Sequence, residues 1–362
     1  MAGTKRGKRG CFVYGTTGRK GNHRMRKVLL AATAVLVVAG VFFWRDYHNP
    51  AEKRMFLMDT FVSVTAYGRD KNAFVHAAET ELKKIDSAVN AYNTNSALNT
   101  GGMEPWLVGL VSRAAGYGGE TGGAFDITLK PVSELWNFNA PAPCVPSGEA
   151  IAEALTRTGY QKLICSGDDI KIPDGMALDL GGVAKGYACD VLAELAEQYR
   201  LRGVLLDLGG NVLVYGSNPG MRNGEWRVGI AVPFGSAGEY FGFVKLDAME
   251  NANPLAVVTS GIYQRNFTED GVLYHHILDP QTGWPVQNEL ASATVLCESG
   301  ERADAYATAI LVLGREKGLQ LAERADGMEA VLVSRDGRIW LTPGLLGRFE
   351  ITDGSFRLVD ME

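Results

Sequence analysis

Ala177-Leu178-Asp179-Leu180-Gly181-Gly182-Val183-Ala184-Lys185-Gly186-Tyr187 reads as a strand end, a glycine turn and a helix start. Gly181 and Gly182 let the backbone take positive φ and come close to a ligand. A helix beginning at such a turn aims free N–H groups and the positive end of its dipole at an anion. Lys185 adds a mobile cation and Asp179 an acceptor. The stretch is either a cradle for a phosphorylated ligand or a tight turn with a salt-bridged lysine, because glycine motifs this short carry both readings. Downstream, Val183, Tyr187, Val191, Leu195 and Tyr199 recur every four residues, which predicts a helix with one buried face running to about Arg200. Gly203 ends it and Val204–Leu208 is a strand. A second Asp-Leu-Gly-Gly follows at 207–210, 28 residues after the first. The repeat predicts two similar strand-to-turn units near one another.

The flanking chain is punctuated in the same way. Thr60–Tyr67 alternates as a strand, and Phe74, Val75, Ala78, Leu82, Ile85 and Val89 predict an amphipathic helix over 72–90. A helix is expected from Glu149 to Thr158 and a hairpin over Ile164–Ile172. Trp226–Val232, Phe241–Leu246 and Ala256–Ser260 read as strands. Tyr263–Phe267 and Val272–Ile277 form a hairpin across an Asp-Gly turn. Arg302–Leu313 is a helix, a second follows to about Ala325, and Ala330–Ser334 pairs with Arg338–Thr342. Hairpins and helices in runs imply an α+β fold with mixed or antiparallel sheets rather than an alternating parallel one. Glycine supports this: 44 of 362 residues is about 12%, against roughly 7% on average.

Charge is distributed unevenly. Residues 1–27 carry nine Lys/Arg and no acid, so the remainder holds 27 Lys/Arg against 41 Asp/Glu, a charge of −14. An acidic body speaks against a nucleic-acid partner. Val28–Trp44 then runs seventeen residues without a charge. The expected organisation is a basic segment 1–27, a hydrophobic signal-anchor helix 28–44, a linker 45–54 and one domain over 55–362. No Ala-x-Ala site follows the apolar run, so an uncleaved anchor is favoured over a cleaved peptide, and Met25 is an alternative start. Basic residues before the span place the N-terminus in the cytoplasm and the domain on the extracytoplasmic side of the cell membrane. Of the cysteines at 11, 144, 165, 189 and 297, Cys144 and Cys165 are the nearest pair for a disulfide; buried free thiols are the competing reading.

Asp304 and Thr308 stand at i and i+4 in Ala303-Asp304-Ala305-Tyr306-Ala307-Thr308-Ala309. They share a helix face of small residues and suit a hard cation bound through oxygen. A dipole-favouring Asp and a Thr bonded back to a carbonyl would leave the same pattern. His275-His276 alternate across a strand, so at most one serves a given site. Asp126 follows the flexible Gly122-Gly123 pair and suits a ribose or ring contact. Thr259-Ser260-Gly261 places hydroxyls and N–H groups in a loop. Walker A, Gly-x-Ser-x-Gly and Gly-x-Gly-x-x-Gly patterns are absent.

In this order, Met58-Asp59-Thr60, Phe125-Asp126-Ile127-Thr128, Asp179–Tyr187, Thr259-Ser260-Gly261, His275–Gly283 and Ala303–Thr308 resemble the ApbE family of FAD:protein FMN transferases over about residues 55–350. The resemblance implies an ApbE-like, T-fold-like architecture. It also implies a Mg²⁺-dependent transfer of FMN from FAD to a Thr or Ser hydroxyl of a target protein, with release of AMP. The target would be a flavin-accepting protein such as a membrane redox-complex subunit. Gly182, Asp304 and Thr308 match the family's metal ligands. Met58, Tyr92, Asn99, Ala124, Phe125, Asp126, Asp179, Lys185 and His276 match its FAD contacts. His276 is the expected proton acceptor or positioning group for the incoming hydroxyl, with Asp304 and Asp179 as competitors. Asp59 stands where the family usually has Gly, and Tyr92-Asn93-Thr94-Asn95 lacks the family's frequent Ser and Arg. An FAD pyrophosphatase and a non-catalytic flavin-binding protein are the alternative functions.

Overall fold

The computed structural model describes residues 26–30, 32–37, 48–167, 169–246 and 253–359. The chain divides into two units, Met1–Asn49 and Pro50–Glu362. In the first, residues 26–30 and 32–37 are helical. Among the described residues no helix is long and apolar enough to cross a membrane. The expected anchor Val28–Trp44 falls partly on residue 31 and residues 38–44, which lie outside the described residues.

The second unit begins with strands β1 (Ala51–Leu57) and β2 (Thr60–Tyr67), then helices α1 (Lys71–Val89), α2 (Ala97–Thr100), α3 (Pro105–Glu120), α4 (Lys130–Trp136) and α5 (Gly148–Leu155). A small hairpin, β3 (Ile164–Ser166) and β4 (Asp169–Lys171), leads to α6 (Ala184–Gln198). Strands β5 (Gly203–Leu208), β6 (Asn211–Gly216), β7 (Trp226–Ala231), β8 (Tyr240–Leu246), β9 (Leu255–Gly261), β10 (Asn266–Glu269), β11 (Val272–His275) and β12 (Leu290–Cys297) follow. Helix α7 (Gly300–Arg324) precedes β13 (Glu329–Ser334), β14 (Arg338–Leu341), β15 (Phe349–Ile351) and β16 (Arg357–Leu358). Nine strands form one sheet in the order β1-β2-β5-β6-β9-β12-β13-β14-β16, and β15-β8-β7 form another. The large sheet is antiparallel except for the β14–β16 pair.

Period-two alternation sends the large sheet's side chains into two cores. Leu213, Val258, Val295 and Leu332 join the residues of α1, α3, α6 and α7. Their neighbours Val214, Val257, Leu296 and Val331 join Trp226, Val228, Ile230 and Phe241 of the small sheet. The unit is therefore three layers: helices, large sheet, small sheet. β12 is buried at every position, so it has no polar face and no alternation to betray it in the sequence.

Several expectations are displaced. Residues 177–180 form no strand, so the opening stretch is a loop entering a helix, tied by Asp179 N–H to the Ile127 carbonyl at 2.8 Å. The linker expected to run to Arg54 is already β1 from Ala51, which pairs with β2 along its whole length. Cys144 and Cys165 are free and exposed, and Cys189 and Cys297 are buried free thiols. Cys165 lies in a short hairpin opposite Ile170 rather than beside Cys144. The expected helix pair at 302–325 is α7 with a break at Gly314, φ 75°. The Asn288 side-chain amide donates to the Leu311 carbonyl at 2.8 Å near that break.

Helices α6 and α7 touch through glycine. A Cβ on Gly186 would lie 2.1 Å from the Gly300 carbonyl oxygen, so any side chain there forces the helices apart. At this crossing the Asp190 carboxylate of α6 accepts hydrogen bonds from Ser299 Oγ (3.0 Å), Gly300 N (2.6 Å) and Glu301 N (3.0 Å). It caps α7 from a neighbouring helix, satisfying N–H groups that the helix itself leaves orphaned. Glu301 in turn receives a bidentate Arg113 from α3, with N–O distances of 2.8–3.1 Å.

Burial outweighs these donors and pushes the Asp190 carboxyl up to about 6. Its contribution to stability is then full below the unfolded carboxylate pKa near 3.9 and is lost as pH rises through about 6. Wild-type unfolding free energy should lose up to about 3 kcal/mol from this group across that window. In Asp190→Asn the component should vanish from urea unfolding measured at pH 4 and pH 7. An unchanged difference between the two pH values would refute it. Independently, Met58 and Asp59 form a two-residue turn with φ 52° and 57°. Asp59→Gly should raise stability by up to about 1 kcal/mol in the same assay, since glycine takes positive φ without strain; a loss would show that the aspartate side chain holds the turn.

Candidate functional site

At one end of the helix layer a cavity of about 760 Å³ opens, a size in the range of small-molecule sites. The two Asp-Leu-Gly-Gly copies both reach it. In the first, Asp179 Oδ1 accepts from Gly181 N at 2.8 Å; in the second, Asp207 Oδ1 accepts from Gly209 N at 3.1 Å. Both are Asx turns closed on the first glycine, but Gly209 and Gly210 take positive φ (65° and 99°), whereas Gly181 and Gly182, expected to do so, do not. Gly181, Gly182 and Gly209 line the cavity. Glycine is required at 182, where a Cβ would lie 2.9 Å from the Phe125 ring and 3.8 Å from Thr308 Oγ1.

Helix α7 brings Asp304 and Thr308 to the same wall. Asp304 is buried, and its Oδ2 accepts from the Gly186 N–H at 3.1 Å. Thr308 Oγ1 lies 3.2 Å from Ser260 Oγ and 3.3 Å from the Asp304 carbonyl. A buried carboxylate is costly without a compensating positive charge. Asp304, the Thr308 hydroxyl and the Gly182 region together offer hard oxygen donors. Among the described residues no cluster of three or more His, Cys, Asp or Glu forms a metal cage, so a cation here would need further ligands from substrate or water.

Met58, Tyr92, Ala124, Phe125, Asp126, Lys185 and His276 also line the cavity. Their side chains are not equally available. Tyr92 Oη donates to Asp179 Oδ2 at 3.3 Å, and burial together with the Asp179 charge raises the phenol to about 12. The Asp126 carboxylate accepts from Thr128 N and Oγ1 and from Tyr160 N, at 2.6–3.0 Å. That carboxylate is engaged in holding its own loop, so its contribution to a ligand is the shape of the 124–126 backbone. Among the described residues Lys185 Nζ reaches only the Gly181 carbonyl, at 3.5 Å, the long limit of a hydrogen bond. Asn99 stands outside the lining. Its Nδ2 donates to the carbonyls of Ala91 (2.9 Å) and Asn93 (2.8 Å), bracing the loop that carries Tyr92.

His276 is held by one carbonyl. Its backbone N–H and its ring Nδ1 both bond to Arg265 O, at 3.1 and 3.3 Å. A carbonyl only accepts, so Nδ1 carries the proton and Nε2 keeps its lone pair. Burial, reinforced by the nearby Arg265 charge, lowers His276 to about 3. His275 is turned into the protein, donating from Nε2 to the Val286 carbonyl at 3.0 Å.

Among the lining residues that escaped the sequence analysis are Asp86, Asn211, Gln264 and Arg265. Asp86 accepts from Met58 N at 3.2 Å, and burial pushes its carboxyl up despite that bond. In the sequence it is one more polar residue beside the apolar stripe of α1. Arg265 lies 3.8 Å from Asp59. Its signal was its place just before a hairpin, which many surface arginines share. Asn211 had a clearer one, since it directly follows the second Asp-Leu-Gly-Gly.

The site of this α+β protein gathers two glycine turns and the Asp304–Thr308 oxygen donors around one cavity. The ApbE family model matches residues 58–332, and the chain belongs to the ApbE family. Two relatives, each an FAD:protein FMN transferase, are those of Treponema pallidum, 32% identical and covering 83% of this chain and 89% of the relative, and Vibrio cholerae, 30% identical with 86% and 95% covered. The structure of the Thermotoga maritima ApbE protein superposes with a TM-score of 0.74 at 28% identity, covering 83% of this chain and 99% of that one. The apo flavinyl transferase ApbE of Pseudomonas stutzeri gives 0.69 at 29% identity, with 85% and 95% covered.

With Nδ1–H fixed and its acidity set by burial, His276 should remain the neutral Nδ1–H tautomer from pH 5 to pH 8. Nitrogen-15 chemical shifts of the imidazole check this, and a midpoint near the ordinary 6.5 would overturn it.

Proposed function

We propose that this chain transfers FMN from FAD to a Thr or Ser hydroxyl of an acceptor protein, releasing AMP. The observation that carries the reading is the meeting of the two Asx-glycine turns, Lys185 and the Asp304–Thr308 helix face around one cavity. The relatives' names support the same reaction. In the transfer, the acceptor oxygen forms a bond to the FMN phosphorus while the bond from that phosphorus to the bridging oxygen breaks. The electron pair leaves with AMP, and the hydroxyl proton passes to a base. Charge on the phosphates must be neutralised and the nucleophile held in line.

Gly182 (through its carbonyl), Asp304 and Thr308 are the proposed Mg²⁺ ligands, supported by their oxygen chemistry and proximity. When bound, Mg²⁺ would supply positive charge to the phosphoryl oxygens. Lys185 and the N-terminus of α6 meet the phosphates from the other side. Tyr92, Phe125 and the 124–126 backbone contact the remainder of FAD, and Asn99 acts through the Tyr92 loop. The Nε2 lone pair of His276 accepts from the incoming hydroxyl. Low basicity fits that imidazole for orienting the hydroxyl better than for keeping its proton, which leaves the carboxylates of Asp304 and Asp179 as further acceptors.

The N-terminal composition supports a membrane anchor with the domain on the extracytoplasmic side, facing a membrane-bound acceptor. Protease added to intact spheroplasts should cut the domain; full protection would refute this placement. For the reaction, the protein is mixed with FAD, Mg²⁺ and a candidate acceptor and run on a denaturing gel. Fluorescent flavin on the acceptor is expected. AMP release with no labelled acceptor would show hydrolysis, and release of neither product would show binding alone. Asp304→Ala should lower transfer by at least 100-fold, in the range of losing a group that stabilises transition-state charge. Lys185→Ala should raise the FAD dissociation constant roughly tenfold, in keeping with a hydrogen bond to a charged group.

A further inference from the structure

Asn211 is 1% exposed yet lines the cavity. Its side-chain Nδ2 is buried without a hydrogen-bond partner among the described residues. Its backbone, by contrast, is well held: β6 pairs Asn211 with Val258 of β9, and the Asn211 carbonyl accepts from Cys189 Sγ at 3.8 Å. A buried amide left unmade is unfavourable, and such exceptions in a native fold call for an explanation.

Position supplies one. In the two glycine-turn copies Asn211 occupies the place of Val183, directly after Asp-Leu-Gly-Gly. Val183 is fully buried in the helix-side core, where an apolar side chain belongs. The second copy keeps the Asx turn and the glycines but places an amide at that point. Pairing puts Asn211 and Val258 on one face of the sheet, and alternation along β9 puts Ser260 on that face too. Ser260 Oγ lies 3.2 Å from Thr308 Oγ1, so this face fronts Asp304 and Thr308. The amide therefore lies on the sheet face that fronts Asp304 and Thr308.

We propose that Asn211 is a phosphate-contacting residue, its Nδ2–H donating to an anionic oxygen of the FAD pyrophosphate beside the Asp304–Thr308 face. The assignment rests on the FMN-transfer reading above, and it makes the second glycine turn the partner of the first in one divided cradle. The contact differs from that of Lys185, because a neutral amide fixes direction where an ammonium supplies charge.

The test compares FAD with riboflavin, which carries the same ring and no phosphate. Their dissociation constants are measured by flavin fluorescence, with Mg²⁺ constant, for wild type, Asn211→Ala and Asn211→Asp. Asn211→Ala should weaken FAD about tenfold and leave riboflavin unchanged. Asn211→Asp should weaken FAD further, by repulsion between carboxylate and phosphate. Equal weakening of both ligands, or of neither, overturns the proposal. If the variants do not fold, the side-chain amide resonance of Asn211 in the wild-type protein decides: a downfield shift with FAD and none with riboflavin is expected, and no shift with FAD refutes the contact. Wild-type protein that binds FAD but labels no acceptor would instead count against the transfer reading and leave the phosphate contact standing.

Discussion

The contact between Gly186 and Gly300 governs the rest of the second unit. Two helices separated by 118 residues in their closest site pair, Gly186 and Asp304, come close enough for a backbone N–H to reach a buried carboxylate. That approach requires the absence of a side chain at 186, where a Cβ would collide with backbone. The same crossing lets Asp190 cap α7 and lets Arg113 meet Glu301, so the first turn of α7 is fixed from two directions. Asp304 and Thr308, one and two turns further on, inherit their position from that clamp. A site that holds charge gains from such rigidity, because donors aligned in advance need no reorganisation when charge develops.

The fold separates the tasks of support and chemistry. The large sheet is covered on both faces, by helices on one and by the small sheet on the other. At the cavity the end of β9 and the glycine turns meet the end of α1, the start of α6 and the first turns of α7. The glycine turns sit at two such junctions, one entering α6 and one entering β6. The repeat that links them in the sequence is realised as a shared Asx geometry rather than as two copies of a strand–turn–helix unit. One copy leads into a helix and the other joins two strands of a hairpin.

Burial at the cavity explains the chemistry assigned to each side chain. His276 is neutral because desolvation and Arg265 oppose its protonation, and the Arg265 carbonyl selects its tautomer. Asp126 lines the cavity, yet its oxygens are engaged by Thr128 and Tyr160. Asn99 likewise acts on the backbone of its own loop. Residue type alone does not separate a ligand contact from a brace; the hydrogen-bond partners do.

From the sequence alone came the α+β class, most of the strands that alternate, the amphipathic helices and the glycine-turn repeat. The ordered motifs also brought out Asp304, Thr308, Gly182, Lys185 and His276, because short-range patterns report local geometry and chemistry directly. β12 was not legible because both of its faces are buried, and α3 was hidden by its glycines. The loop 177–180 looked like a strand because Ala, Leu and Asp leave alternation ambiguous over four residues. Only the tertiary structure decided that Asp126 is spent on its loop, that Asn211 and Arg265 join the site, and that the two glycine turns face one cavity. Those facts depend on packing and hydrogen bonding between segments that carry no common local signal, from Asp126 with Tyr160 to Asn211 with Val258.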